Sequence, residues 1–186
     1  MLSDLMKIAV LPRELHWLSK RILCLTAMLF VLLMLFSCAT FSQTANHGFQ
    51  FDIRGKDATV EVMDFRYGLS DLPGTRVPAW AKERSQPRGQ TGIFGDFSIG
   101  NDLFVEWRIK ATGETLRQTV DLKELLPKDL NGYTITFTID EKLLEVFLVS
   151  PERRSSDFPI VGPPKYNELK VYRIFPANDL PNRLRQ

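Results

Sequence analysis

Few residues in this chain have the types and spacing that chemistry needs. Two histidines, His16 and His47, and two cysteines, Cys24 and Cys38, are present. Only His47 lies beyond residue 38, so a nucleophilic serine or cysteine there would depend on one imidazole with no third group in the pattern to orient it. A zinc site built from histidines and cysteines fails on the same count. Gly89, Gly92, Gly95 and Gly100 invite comparison with phosphate-binding loops. No Lys-Ser/Thr pair and no helix pattern follows them, so they read as turn and bulge residues. Alternating acids with a glycine, the mark of a calcium loop, are absent. Asp96 with Asp102, or Asp140 with Glu141, would be the carboxylate pair of a glycosidase, although acids solvated in turns are far commoner. No cofactor is implied, and the chain does not read as an enzyme.

What remains is recognition. Trp80 lies among Arg76, Lys82, Arg84 and Arg88, and a second irregular stretch carries Arg153-Arg154. Tryptophan and arginine are the residue types enriched where one protein grips another. In the competing reading Trp80 folds back over a core edge and the cations stay in water.

The elements that position these residues are read differently according to what becomes of the segment before them. Lys20-Arg21, a run from Ile22 to Phe36 with only Thr26 polar, and Ser37 form the basic, apolar and small-residue regions of a secretory signal peptide. Residues 22–36 would rise about 22 Å as a helix, short of the hydrocarbon core of about 30 Å, so export and cleavage are expected rather than retention. Leu35-Phe36-Ser37-Cys38 resembles the bacterial lipobox, which makes Cys38 the acylated lipid anchor. Phe36 is bulkier than is usual at its position. The alternative is a signal anchor continuing through Ala39, Thr40 and Phe41. In the lipoproteins that this segment resembles, an aspartate after the cysteine goes with inner-membrane retention, so Ala39 implies the outer membrane, with the domain facing the periplasm. Residues 1–19 form a long basic lead, consistent with a start codon set too far upstream.

Beyond the leader, residues 38–186 suffice for one domain. The chain has 24 basic and 22 acidic residues, and residues 1–37 hold four and two of them, leaving 20 of each. A neutral domain is no nucleic-acid binder, because such binding rests on a basic surface that neutralises phosphates. Charge would not hold it to anionic lipid either, so membrane attachment falls to the acyl chains. With Cys24 removed and Cys38 acylated, no disulfide is available and stability rests on the core.

Residues 38–48 are polar and small apart from Phe41, and are expected to form a tether. Phe49, Phe51 and Ile53, then Val60 and Val62, alternate with polar residues as half-buried strands do. From 68 to 95 the alternation stops among Pro73-Gly74, Pro78 and Pro87, which predicts a long functional or poorly ordered loop. Leu103, Val105, Trp107 and Ile109 give the clearest strand. Ala111-Thr112-Gly113 turns it into Leu116, Val120 and Leu122, and residues 121–126 could make a helical turn before Pro127. Ile135, Phe137 and Ile139 oppose Thr134, Thr136 and Thr138. The return run 143–149 is apolar on both faces except Glu145, which predicts a central strand covered on both sides. Residues 151–164 read as a second irregular loop, 171–175 as a last strand and 177–186 as a polar tail. The expected fold is mainly β: an antiparallel sheet or β-sandwich of about seven strands over residues 49–176.

Within residues 58–151, three stretches carry a family resemblance: Val62-Met63-Asp64-Phe65-Arg66-Tyr67-Gly68, residues 103–114, and Thr119-Val120-Asp121-Leu122 through Leu126-Pro127-Lys128-Asp129. They resemble small proteobacterial lipoproteins encoded near type VI secretion phospholipase effectors. The resemblance implies an immunity protein that binds the toxin in the periplasm and blocks its active site. The stretch 68–95, with 151–168 as a second candidate, would then contact the phospholipase. Two other readings stay open: an assembly accessory of the envelope or a secretion system, and a carboxylate-based hydrolase using Asp96 and Asp102.

Overall fold

A computed structural model describes residues 43–54 and 58–185. The leader, Cys38 and the first residues of the expected tether lie outside that range. The described residues form eight strands: β1 Thr44–Asp52, β2 Val60–Tyr67, β3 Gln90–Ser98, β4 Asp102–Ile109, β5 Thr115–Asp121, β6 Thr134–Asp140, β7 Leu143–Arg153 and β8 Leu169–Phe175. Two short helices, α1 (Ala79–Glu83) and α2 (Asn182–Arg185), and a 3-10 turn at Pro164–Tyr166 complete the fold. The strands make a five-stranded sheet in the order β3-β1-β6-β7-β8 and a three-stranded sheet in the order β2-β4-β5.

Period-two alternation explains most of this. Leu103, Val105, Trp107 and Ile109 of β4 are all buried while the residues between them are not. The inner faces meet in an aromatic layer. Phe49 stacks on Tyr67 with centroids 4.9 Å apart, Phe51 meets Phe65 edge-on at 5.0 Å, and Phe51 lies 4.5 Å from Phe137. Each such fully buried side chain stabilises the fold by about 1.5–3 kcal/mol. The Trp107 indole donates to the Glu141 carbonyl at 2.8 Å, which ties the small sheet to the β6–β7 turn.

One irregularity phases β2. Val62 pairs with Trp107 and Asp64 with Glu106, leaving Met63 without a partner. A strict alternation from Val60 and Val62 would turn Asp64 and Arg66 inward. The bulge advances the phase by one residue, so Phe65 and Tyr67 enter the core instead.

β7 is central, as its two apolar faces require. It pairs with β6 and β8. Its outer residues Phe147 and Val149 pack with Tyr166 and with Val171 of the neighbouring β8, with Val161 and Leu169 at the margin. The second irregular stretch is therefore the lid of this face.

Four expectations need correction. The tether does not reach residue 48, because β1 begins at Thr44 and pairs with β3 from there. The loop does not reach residue 95, because residues 90–95 belong to β3; Gly92 and Gly95 mask an edge strand in which only Phe97 is buried. The sheet is not wholly antiparallel: Gly48, Phe49 and Gln50 of β1 run parallel to Thr134, Ile135 and Thr136. That crossover needs no helix, because the other sheet lies on its path. Finally, the tail is not merely polar, since Leu180 is buried and Leu184 packs against the core. Residues 121–126 make a hydrogen-bonded turn, with the amides of Leu125 and Leu126 bonding to the Leu122 carbonyl.

The bulge makes a direct prediction. Deleting Met63 removes the extra residue and leaves regular alternation from Val62 to Tyr67, so Phe65 and Tyr67 should stay buried and thermal unfolding followed by circular dichroism should remain cooperative. Met63→Ala, which keeps the residue count, should cost less than about 1.5 kcal/mol.

Candidate functional site

The stretch after β2 returns along that strand's free edge and closes it. The Tyr67 amide donates to the Thr75 carbonyl at 2.8 Å, Val77 to Phe65 at 3.2 Å, and Arg88 to Val62 at 2.7 Å. Gly68, at φ 59°, starts this strap, and a Cβ there would lie 2.5 Å from the Gly100 Cα, so no other residue fits without moving backbone. Buried Thr75, Val77 and Ala81 pin the strap to the core. Its outer part winds into α1 after Pro78, and Lys82 of that helix bonds to Asp64 on β2 at 2.6 Å.

α1 presents Trp80, which is 51% exposed. The Arg88 guanidinium lies 4.9 Å from its ring centroid and that of Arg84 lies 5.8 Å away, within cation–π range. Nε and Nη2 of Arg88 are buried with no hydrogen-bond partner among the described residues. The face of the indole is thus the main compensation for that charge. Arg76 lies in the same strap but is ion-paired with Asp71.

The strap also leans on β3. The Thr91 hydroxyl donates to the Gly74 carbonyl at 3.1 Å, and a Cβ on Gly74 would touch Ile93 and the Gly92 carbonyl. Six large apolar side chains are exposed among the described residues, and four of them, Leu69, Leu72, Trp80 and Phe94, belong to the strap or β3. Most of the exposed large apolar side chains among the described residues therefore belong to the strap and the strand it leans on. Only Trp80 was singled out from sequence. Leu69 and Leu72 carried a weak signal as apolar residues in a stretch without periodicity.

Arg153 and Arg154 are not part of this surface. Arg153 ends β7 and Arg154 follows it, and β1 and β6 separate that strand from β3 in the sheet order. Arg154 binds the carbonyls of Asn167, Ser155 and Phe158 at 2.9, 3.2 and 2.9 Å, and so shapes the lid over the five-stranded sheet. Arg153 is exposed. Beneath that lid, burial pushes the Tyr166 hydroxyl up to about 12.

His47 sits inside the core rather than in a tether. Nδ1 lies 2.9 Å from the Ala45 carbonyl, Nε2 lies 3.1 Å from the Tyr67 hydroxyl, and the ring stacks on Phe97 at 3.9 Å. Desolvation lowers its pKa below the ordinary 6.5, against the opposing hydrogen bond to Ala45. The proposed carboxylate pair is divided between the sheets: Asp96 on β3 accepts from Asn46, and Asp102 on β4 pairs with Arg66. Among the described residues no group of three His, Cys, Asp or Glu is placed to hold a metal ion. No helix there is long and apolar enough to cross a membrane. Compared with known protein families, curated proteins and solved structures, the chain matches none. The site stands on its own geometry.

Two measurements check these assignments. The folded state keeps His47 neutral while the unfolded chain takes up a proton near pH 6.5. Stability is therefore complete above that pH and declines as the pH falls below it, by at most about 1.4 kcal/mol per pH unit from this group. Urea titrations should show that His47→Gln lacks this part of the acid loss. Arg154→Ala should lower stability by about 1–3 kcal/mol by stranding lid carbonyls, whereas Arg153→Ala should change it by less than about 0.5 kcal/mol.

Proposed function

We propose that this chain is a lipid-anchored envelope protein whose β-sandwich binds a protein partner through the strap side, and that it acts as an immunity protein against a secreted phospholipase. The observation that carries this reading is the Trp80 ring held half-exposed against Arg84 and Arg88. Exposed Leu69, Leu72 and Phe94 lie on the strap and the strand beside it. A rigid aromatic with guanidinium neighbours has the composition of an interface hot spot. Inhibition by occlusion needs shape and contact but no catalytic group, which suits a surface without a nucleophile and base.

The lipobox-like Leu35-Phe36-Ser37-Cys38 supports an anchor at Cys38, in the outer membrane and facing the periplasm. The near-balance of charge beyond the leader supports a partner met through local contacts rather than a long-range field. The phospholipase partner follows from the resemblance of residues 58–151 and shares its standing as a proposal.

Co-expression with the effector encoded beside this gene tests the reading. The chain should abolish effector toxicity and co-purify with the effector. Trp80→Ala with Arg84→Glu should weaken binding by about thirtyfold or more, while the chain still unfolds cooperatively, at a temperature lowered by loss of the ring that Arg88 rests on. Toxicity that persists beside the wild-type chain, or protection undiminished in the double variant, would overturn it.

A further inference from the structure

We propose that the three-stranded sheet continues into a second copy of this chain through antiparallel pairing of β5 with its own counterpart. The strap closes the β2 edge of this sheet, but β5 bonds only to β4 among the described residues. Its free edge is defined by register. Ile109 donates to the Glu114 carbonyl and Leu122 to that of Asn101, so residues of even number in β5 turn their backbone groups toward β4. Thr115, Arg117, Thr119 and Asp121 then present unpaired amides and carbonyls outward, and all four are exposed.

An edge that protects a monomer carries charges of one sign, which repel an approaching copy. β5 instead carries Arg117 and Asp121 placed symmetrically about Thr119. A two-fold axis through Thr119, perpendicular to the sheet, sets Thr119 against Thr119 of the second copy. It also sets Arg117 against Asp121 in both directions. These are the positions whose backbone groups point outward, so the charge pairing and the hydrogen-bond register agree. Arg117 bonds to Glu106 through Nε at 2.6 Å, leaving its terminal nitrogens to reach across. Leu116 and Gln118, half-exposed on the inner side of this edge, would be covered by the joined strand.

β3 also forms a sheet edge, but its outward positions Gln90, Gly92, Phe94, Asp96 and Ser98 carry one charge and no complement. It gives no comparable reason for a copy to pair with itself. A heterologous strand at β5 is the other possible occupant.

The test uses the full chain carrying two different epitope tags, co-expressed and recovered in mild detergent through one tag. Wild-type copies should recover each other. Arg117→Asp with itself and Asp121→Arg with itself should recover about tenfold less, because like charges then face across the axis. Arg117→Asp on one tag with Asp121→Arg on the other restores opposite charges in both pairs and should recover at the wild-type level. That last pairing also shows that each variant is folded. Thr119→Pro removes only an outward amide, which an edge strand tolerates, and should abolish recovery. Failure of wild-type copies to recover each other would overturn the proposal. So would recovery indifferent to charge and to Thr119→Pro, which is the result if β5 is free or takes an unrelated strand.

Discussion

Met63 has no partner on β4, and the arrangement of everything after it follows from the phase change it causes. Val60 and Val62 enter the core before it, and Phe65 and Tyr67 enter after it. Tyr67 then stacks on Phe49 and lies within hydrogen-bond distance of His47, which joins the two sheets at that end. If Met63 were paired in a regular strand, the same chain would offer Asp64 and Arg66 to the core, and burial of unpaired charge costs far more than a bulge. Gly68 follows directly, and its left-handed turn sends the chain back along the edge of β2.

That return explains why a long segment rich in proline and glycine belongs to a compact domain. An open strand edge is a liability, and the strap meets it with backbone bonds at Thr75, Val77 and Arg88. Between those anchors the chain is free to protrude, and it does so as α1 carrying Trp80. One segment therefore closes an edge and displays an exposed tryptophan. The lid between β7 and β8 does a different job. Arg154 gathers its carbonyls, and Tyr166 covers the outer face of β7.

The charges follow a related division. The outer face of the small sheet carries cross-strand pairs, Glu61 with Arg108 and Glu106 with Arg117, joined by Asp102 with Arg66. Each is worth at most about 1 kcal/mol when exposed, so their importance lies in neutralising that face rather than in stabilising it. Arg84 and Arg88 have no ion pair among the described residues and meet an aromatic ring instead. The strap is thereby chemically distinct from the sheet it borders.

By itself the sequence determined what is local. Period-two alternation marked β4, β6 and β7, and Gly113 marked the hairpin between β4 and β5. Their class and phase follow from the chain's own pleat, and the apolar faces of 143–149 even announced a strand covered on both sides. Trp80 and its arginines were also legible, as residue types. Tertiary structure alone decided the rest, because each part depends on which distant segment meets which edge. β3 is a strand because β1 lies beside it, although Gly92 and Gly95 weaken its own preference. The parallel β1–β6 pairing depends on the other sheet carrying the crossover. His47 is buried because Tyr67 and Phe97 close over it. Leu69, Leu72 and Phe94 are exposed because no described segment covers them, and an apolar residue's identity does not tell which way it will face.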